Sequence, residues 1–314
     1  NGCSGTALNM TITVNPAPTV QFSIPNQAVC TGTNSTQLVN LTSTTSNVTF
    51  AWSAVAQAGI GNFSGSTGTN TIPVYSNLTN PGISPLTITF TAIATTSGAQ
   101  TCQGTPSSYI ITVNPSPNAI ATFVSNDTIC SNTNINISLT STTPNTNFTW
   151  VATNGAGITG GANSTSAGLS IQQQLVNSLL TIGQVTYVVT PSASQCPGTP
   201  ITVIAYVNPK AVMTGLTPIA VCPTGNIAPA NFTSNPVAQA YTWTNSNPAI
   251  GLGANGTGNI PSWNAPLNNS TSNITGSILI TPIFNGCNGV TGSLPITIYP
   301  TPVVSNSSLD QTVC

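Results

Sequence analysis

Charge is almost missing from this sequence. Of 314 residues only Lys210, Asp127 and Asp310 carry a charge, and Arg, Glu and His do not occur, where an ordinary soluble domain has about 25% charged residues. General acid or base chemistry draws on those side chains, and the two carboxylates fall in different parts of the chain, too far apart to work as a pair. No enzyme and no cofactor site are expected. A calcium or magnesium site wants several clustered oxygen ligands, mostly carboxylates, and nucleic acid wants Lys and Arg against phosphate, so neither a metal nor a nucleic-acid partner is expected. Long apolar runs are missing too. No stretch approaches the 18 or so residues a membrane span needs, and apolar positions alternate with Thr, Ser and Asn, which argues against membrane insertion.

What is present is a period. Cys102-Gln103-Gly104-Thr105-Pro106 leads into the alternating run Tyr109-Ile110-Ile111-Thr112-Val113 and stops at Asn114-Pro115-Ser116-Pro117. The pattern recurs from Cys3, from Cys196-Pro197-Gly198-Thr199-Pro200 and, weakened, from Cys287-Asn288-Gly289. A second cysteine series, Cys30, Cys130, Cys222 and Cys314, and a tryptophan series, Trp52, Trp150 and Trp243, keep the same step of 91 to 100 residues. The chain is a tandem array. Its expected division is a tail of a preceding repeat at 1–18, whole repeats at 19–117, 118–211 and 212–302, and the start of a following repeat at 303–314, so that the sequence is a window on a longer protein.

Each whole repeat has the length of a sandwich domain, about 100 residues. In the first, residues 19–24 alternate as a half-buried strand does. A turn-rich stretch at 25–36 carries Cys30, and further strands are expected at 38–41, 47–52, 71–75 and 86–93, with loops or short edge strands at 58–70. The second repeat follows the plan, and its 169–180 segment, which could be mistaken for a helix, is read as strand then loop by analogy with the first. The third is expected to have strands at 212–216, 227–232, 274–283 and 294–299. Seven or so short strands per repeat with turn signals between them predict an all-β fold, a tandem array of antiparallel Greek-key sandwiches of immunoglobulin-like type. Phe50-Ala51-Trp52, Phe148-Thr149-Trp150 and Tyr241-Thr242-Trp243 stand at the place where such a sandwich buries its central aromatic, so Trp52, Trp150 and Trp243 are read as core. Trp263 has no counterpart and is read as a local core residue, the one candidate for a surface aromatic.

The aromatic-x-Trp and the Cys-x-Gly-Thr-Pro leading to Thr-Val-Asn-Pro-x-Pro resemble the PKD-like and immunoglobulin-like repeats of very large Bacteroidota surface proteins, among them adhesins exported by the type IX system and used in gliding. The Cys-x-Gly of that pattern is present at Cys30-Thr31-Gly32 and departs to Cys130-Ser131-Asn132 and Cys222-Pro223-Thr224. The resemblance implies an extracellular, cell-surface location. It also marks Thr128, in Asp127-Thr128-Ile129, as a candidate O-glycosylation acceptor.

Eight cysteines at fixed phase, without His or acidic partners and without a Cys-x-x-Cys pair, read as disulfides rather than zinc ligands and place the chain outside the cytosol. Two pairings are open. If the second-series cysteine lies at the end where the chain leaves its repeat, it faces the first-series cysteine of the next, which pairs Cys30 with Cys196 and Cys130 with Cys287, and leaves Cys3, Cys102, Cys222 and Cys314 to repeats outside the window or unpaired. If the irregular stretch carries its cysteine back up the domain, the pairs are Cys30 with Cys102, Cys130 with Cys196 and Cys222 with Cys287. The Asn-Pro-x-Pro joints add stiffness, because proline fixes φ and holds the residue before it extended. The expected function is a structural stalk or spacer in an adhesin or filament, its partners being neighbouring repeats and, through sheet edges with no guarding charge, other copies laterally. The alternative is a set of glycan- or protein-binding modules.

Overall fold

The computed structural model describes residues 2–98 and 100–303. Within them the chain builds three sandwiches, each around its own hydrophobic cluster. In the first, the larger sheet runs in the order Gln27–Cys30, Ser107–Asn114, Leu86–Thr96, Val48–Ala56, Thr67–Thr69, and the facing sheet joins Gln21–Phe22, Val39–Thr42 and Thr71–Ile72. Period-2 alternation explains the layers. Ile88, Phe90 and Ala92 on one strand and Tyr109, Ile111 and Val113 on its neighbour are fully buried, while the residues between them face outward.

The second sandwich repeats this with Thr128–Cys130, Ile201–Asn208, Gly183–Ala193 and Asn147–Asn154 against Ile158–Thr159, Ser170–Asn177, Thr133–Thr140 and Ile120–Phe123. The third has the larger sheet Ile219–Val221, Gly292–Ile298, Ile274–Phe284, Ala240–Asn245, Asn255–Thr257, but its facing layer is broken into two short pairs. Among the described residues the one helical element is a 3-10 turn, Pro248–Ile250. The segment 169–180 is a strand, Ser170–Asn177, followed by a turn.

Three expectations need correction. The stretch 25–36 is not wholly irregular, because Gln27–Cys30 forms a strand that runs parallel to the repeat's last strand, with Cys30 opposite Asn114. Its alternation is hidden because an inward position is the polar Gln27, made tolerable by the Tyr109 hydroxyl at 2.6 Å and by Thr36. Parallel pairs recur at Thr128–Cys130 and Ile219–Val221, so each repeat contains one parallel pair in an otherwise antiparallel sandwich. The strand expected at 227–232 shrinks to Asn226–Ile227, with Thr233–Asn235 beyond it. Pro229 cannot donate a ladder hydrogen bond and breaks the run.

One recurring device carries no obvious sequence mark. Asn80, Asn177 and Asn268 are buried polar residues at the same place in successive repeats. The Asn177 amide nitrogen donates to the carbonyls of Thr181 (2.7 Å) and Val207 (2.9 Å), and its oxygen accepts from the Leu179 amide at 3.0 Å. Asn80 does the same with Ser84, Val113 and Gly82, and Asn268 with Ser272, Ile298 and Ser270. Each asparagine closes its own turn and fastens it to the end of the repeat's last strand, satisfying backbone groups that burial would otherwise leave costly.

Candidate functional site

The junctions between repeats hold the chain's reactive side chains. Because the Gln27–Cys30 strand is parallel to Ser107–Asn114, its last residue is carried to the downstream end, one residue short of the Pro115 at which the chain departs. The turn that follows is left-handed two residues later in all three repeats, at Gly32 (φ 78°), Asn132 (φ 70°) and Thr224 (φ 61°). Glycine adopts that conformation freely and asparagine with little penalty, which explains the first two residues of the series. Thr33 and Thr133 then donate their hydroxyls to the carbonyls of Cys30 and Cys130, each at 2.6 Å.

The first-series cysteines lie in the hairpin that opens the last strand, at the opposite, upstream end. Cys196 pairs with Ala193 and Cys287 with Phe284 across that hairpin. Two residues on, the glycine of the Cys-x-Gly motif donates its amide back across the turn, Gly198 to Pro191 and Gly289 to Pro282 at 2.8 Å, and Gly104 to Ala94 at 2.9 Å. A side chain at Gly104, Gly198 or Gly289 would overlap the backbone carbonyl of Pro18, Pro117 or Ala211. Glycine is therefore required where the arriving chain crosses its own hairpin, and this contact ties each joint to the motif.

These two ends meet. Cys30 is bonded to Cys196 with Cα atoms 5.4 Å apart, and Cys130 to Cys287 at 5.5 Å. The pairing inside a repeat is not formed. Cys30 and Cys102 lie at opposite ends of the eight-residue Ser107–Asn114 strand, a span of roughly 25 Å against the 7 Å or so that a disulfide tolerates. At the second junction the Asn285 side-chain Nδ2 also donates to the Asn208 side-chain oxygen at 3.1 Å. Cys3 and Cys222 are exposed and Cys102 half-buried, all three as free thiols; Cys314 lies outside the described residues, as do positions 304–313 of the expected following repeat.

Trp52 and Trp243 are buried, but Trp150 is only partly so, packed against the edge of its cluster, so its place in the core needs correcting. Phe148, two residues earlier on the same strand, is fully buried in that cluster. The indole of Trp52 donates to the Thr71 carbonyl at 2.9 Å and that of Trp150 to Ala162 at 3.2 Å, whereas the buried Trp243 nitrogen has no partner. Trp263 packs against the third cluster and donates to the Ile250 carbonyl at 3.1 Å. The Thr128 hydroxyl donates to the Asp127 carboxylate at 3.0 Å, at the start of the parallel strand that ends in Cys130. Burial pushes the phenols of Tyr75 and Tyr187 up to about 12. The described residues contain no cluster of His, Cys, Asp or Glu able to hold a metal, and no helix long and apolar enough to cross a membrane.

Comparison with protein families matches the PKD-like domain at residues 27–117 and again at 127–211. No curated protein matches the chain. Among solved structures, the I-band fragment I67-I69 from titin is similar at 10% identity over 92% of this chain and 100% of that one, with a TM-score of 0.43. The FN1-FN3 domains of chicken CNTN1 are similar at 13% identity over 90% and 98%, with a TM-score of 0.30. Such similarity is too low to argue from; the two family matches and the sandwiches themselves define the architecture as a tandem array.

Proposed function

Since the chain belongs to the PKD-like domain family, with that domain repeated in tandem, we propose that its work is mechanical: it is a stalk or spacer segment of an extracellular surface protein. One observation carries the reading. The two disulfides each join one repeat to the next, and their loops overlap between residues 130 and 196. They bypass the proline-rich joints, so neighbouring sandwiches are tied at two places, by the linker and by the staple, which removes most of the bending freedom that a single short linker leaves. Persistent disulfides also favour an oxidising, extracellular location. Sheets of Thr, Ser and aliphatic residues, with almost no charge, suit a role of providing length and stiffness.

The motif resemblance carries the finer reading, a segment of a Bacteroidota adhesin of the type IX-exported, gliding kind, in which Thr128 takes an O-linked glycan. A sorting domain at the C-terminal end of the complete reading frame tests the first part, and glycopeptide mass spectrometry the second. The spacer reading itself is tested by small-angle scattering together with a glycan screen. A stiff array should show a radius of gyration well above the about 20 Å of a compact chain of this length and no saturable glycan binding. A compact particle, or binding with fixed stoichiometry per repeat, would replace it with a binding-module function.

A further inference from the structure

We propose that the open edge of the second sandwich is a lateral docking site for a second copy of this chain, and that residues 163–168 are a displaceable cover holding that pairing in check. The inference goes beyond the stalk reading and does not depend on the staples.

The second repeat differs from its neighbours at one edge. In the first, the tryptophan strand Val48–Ala56 is flanked by Thr67–Thr69, and in the third Ala240–Asn245 is flanked by Asn255–Thr257. In the second, Asn147–Asn154 is the last strand of its sheet, and the segment beside it bulges. The Trp150 carbonyl accepts from the Ser164 backbone amide and the Phe148 carbonyl from that of Gly168, both at 2.9 Å, so a step of two residues on the strand is matched by a step of four on the cover. Side chains stand in for main-chain carbonyls: the Trp150 backbone amide donates to Ser164 Oγ and the Ala152 backbone amide to Asn163 Oδ1, both at 2.9 Å. Ser164 thus faces Trp150 where Gly68 and Gly256 face Trp52 and Trp243. A β-carbon at those glycines would run into the indole, which accounts for the half-buried position of Trp150.

The cover is weakly held. Gln173 pins Ala162 through hydrogen bonds of 3.0 and 2.7 Å, but none of residues 163–168 is buried, and Leu169 beyond them is 61% exposed. A segment with so few buried contacts opens at low cost.

Beneath it lies an edge with no guard. The strand has no charge and no proline; Asp127 sits beside Thr128–Cys130, at the opposite edge of the same sheet. Such an edge is a template for another strand, and its own copy fits it. The hydrogen-bonding groups of Phe148, Trp150, Ala152 and Asn154 point outward, because the alternate residues bond the neighbouring Gly183–Ala193 strand. With two copies antiparallel about an axis at Val151, Trp150 faces Ala152 of the second copy and Phe148 faces Asn154, which uses all four residues on each side; any shift of register leaves some unpaired. The Trp150 indole then meets a small side chain, as Trp52 meets Gly68. On the outer surface the two Val151 side chains, each 56% exposed, come together, with Thr149 against Thr153. The contact is isologous and closes at two copies.

The test measures association of the full chain by sedimentation equilibrium. Asn163→Ala with Ser164→Ala strips the two side-chain acceptors, and because both copies shed them, dimerisation should tighten by about a hundredfold or more over wild type. Adding Ala152→Pro, which removes an outward N–H and spares the ladder to Gly183–Ala193, should restore the monomer. Register is read by cross-linking at high concentration with the cover intact, in a background of Cys3→Ser, Cys102→Ser, Cys222→Ser and Cys314→Ser and a glutathione redox buffer. Val151→Cys should link to itself, its Cα atoms being about 4.5 Å apart across the axis, while Thr149→Cys and Thr153→Cys should each stay unlinked alone and link when mixed. Association unchanged by the double variant, association that survives Ala152→Pro, or Val151→Cys that links no better than Thr149→Cys alone overturns the proposal. If the double variant does not fold, the cross-linking arm decides by itself.

Discussion

Pulling on the chain should reveal the staples as a limit on length. With both disulfides intact, the shortest covalent route from Cys30 to Cys287 crosses to Cys196, runs back along the backbone to Cys130 and crosses again. That route contains 66 residues, against 257 along the backbone. At 3.3 to 3.6 Å per extended residue, the fully unfolded segment can reach about 230 Å when oxidised and about 900 Å when reduced. Cys287→Ser leaves a route of 91 residues and Cys196→Ser one of 100, about 310 and 345 Å. Single-molecule force spectroscopy with handles attached outside Cys30 and Cys287 should therefore rank the maximum extensions as oxidised wild type, Cys287→Ser, Cys196→Ser, reduced wild type. Residues 31–129 and 197–286 lie off the shortest route, so unfolding the first or third sandwich should add little length. An oxidised molecule that lengthens in three steps of a whole repeat each would refute the reasoning.

Other outcomes follow from the same geometry. Gly198→Ala places a methyl against the Pro117 carbonyl and should cost about 2 kcal/mol, measurable by denaturant unfolding, and slow formation of the Cys30–Cys196 bond. Asn177→Ala strips partners from the buried carbonyl of Val207 and from the turn amide of Leu179, with an expected loss of about 1–3 kcal/mol, whereas an exposed asparagine such as Asn126 should change stability by less than about 0.5 kcal/mol. Trp52→Phe should cost more than Trp243→Phe, because only the first gives up an indole hydrogen bond; equal losses by thermal melting would contradict this. Tyr75 and Tyr187 titrate higher when folded than the ordinary 10.0. Their contribution is thus complete below pH 10 and is lost as pH rises toward 12, while the melting temperature should stay flat from about pH 4 to 9 because almost nothing else titrates. A steep fall at acid pH would contradict that reading.

The period of the cysteines and tryptophans was enough to place the three sandwiches, because Cys102, Cys196 and Cys287 occupy one structural position and alternation marks the long strands around them. The short parallel strand was hidden in the first repeat by Gln27, an inward polar residue whose partner Tyr109 is 82 positions away. No local pattern shows such a pair. Asn80, Asn177 and Asn268 keep the common step and the first two follow a leucine two residues earlier, yet in a chain so rich in asparagine that mark does not stand out. Trp150 misled in the other direction: its motif is that of Trp52, but how deep an indole sinks depends on its neighbours across the sheet. Gly68 leaves room for the Trp52 ring to lie against the adjacent strand, whereas beside Trp150 the pairing reaches only an isolated bridge between Phe148 and Gly168.

The separation of 166 residues between Cys30 and Cys196 also orders events in time. When a chain grows from its N-terminus, Cys102 and Cys130 become available to Cys30 long before Cys196 does. Only a folded sandwich holds Cys30 and Cys102 apart at the two ends of the Ser107–Asn114 strand, so any early bond between them has to be undone by thiol–disulfide exchange before that sandwich is complete, and the correct bond must wait for a second native domain to arrive. Each staple is thus a record that two successive domains were both correct when it closed, a form of proofreading written into the spacing of the thiols.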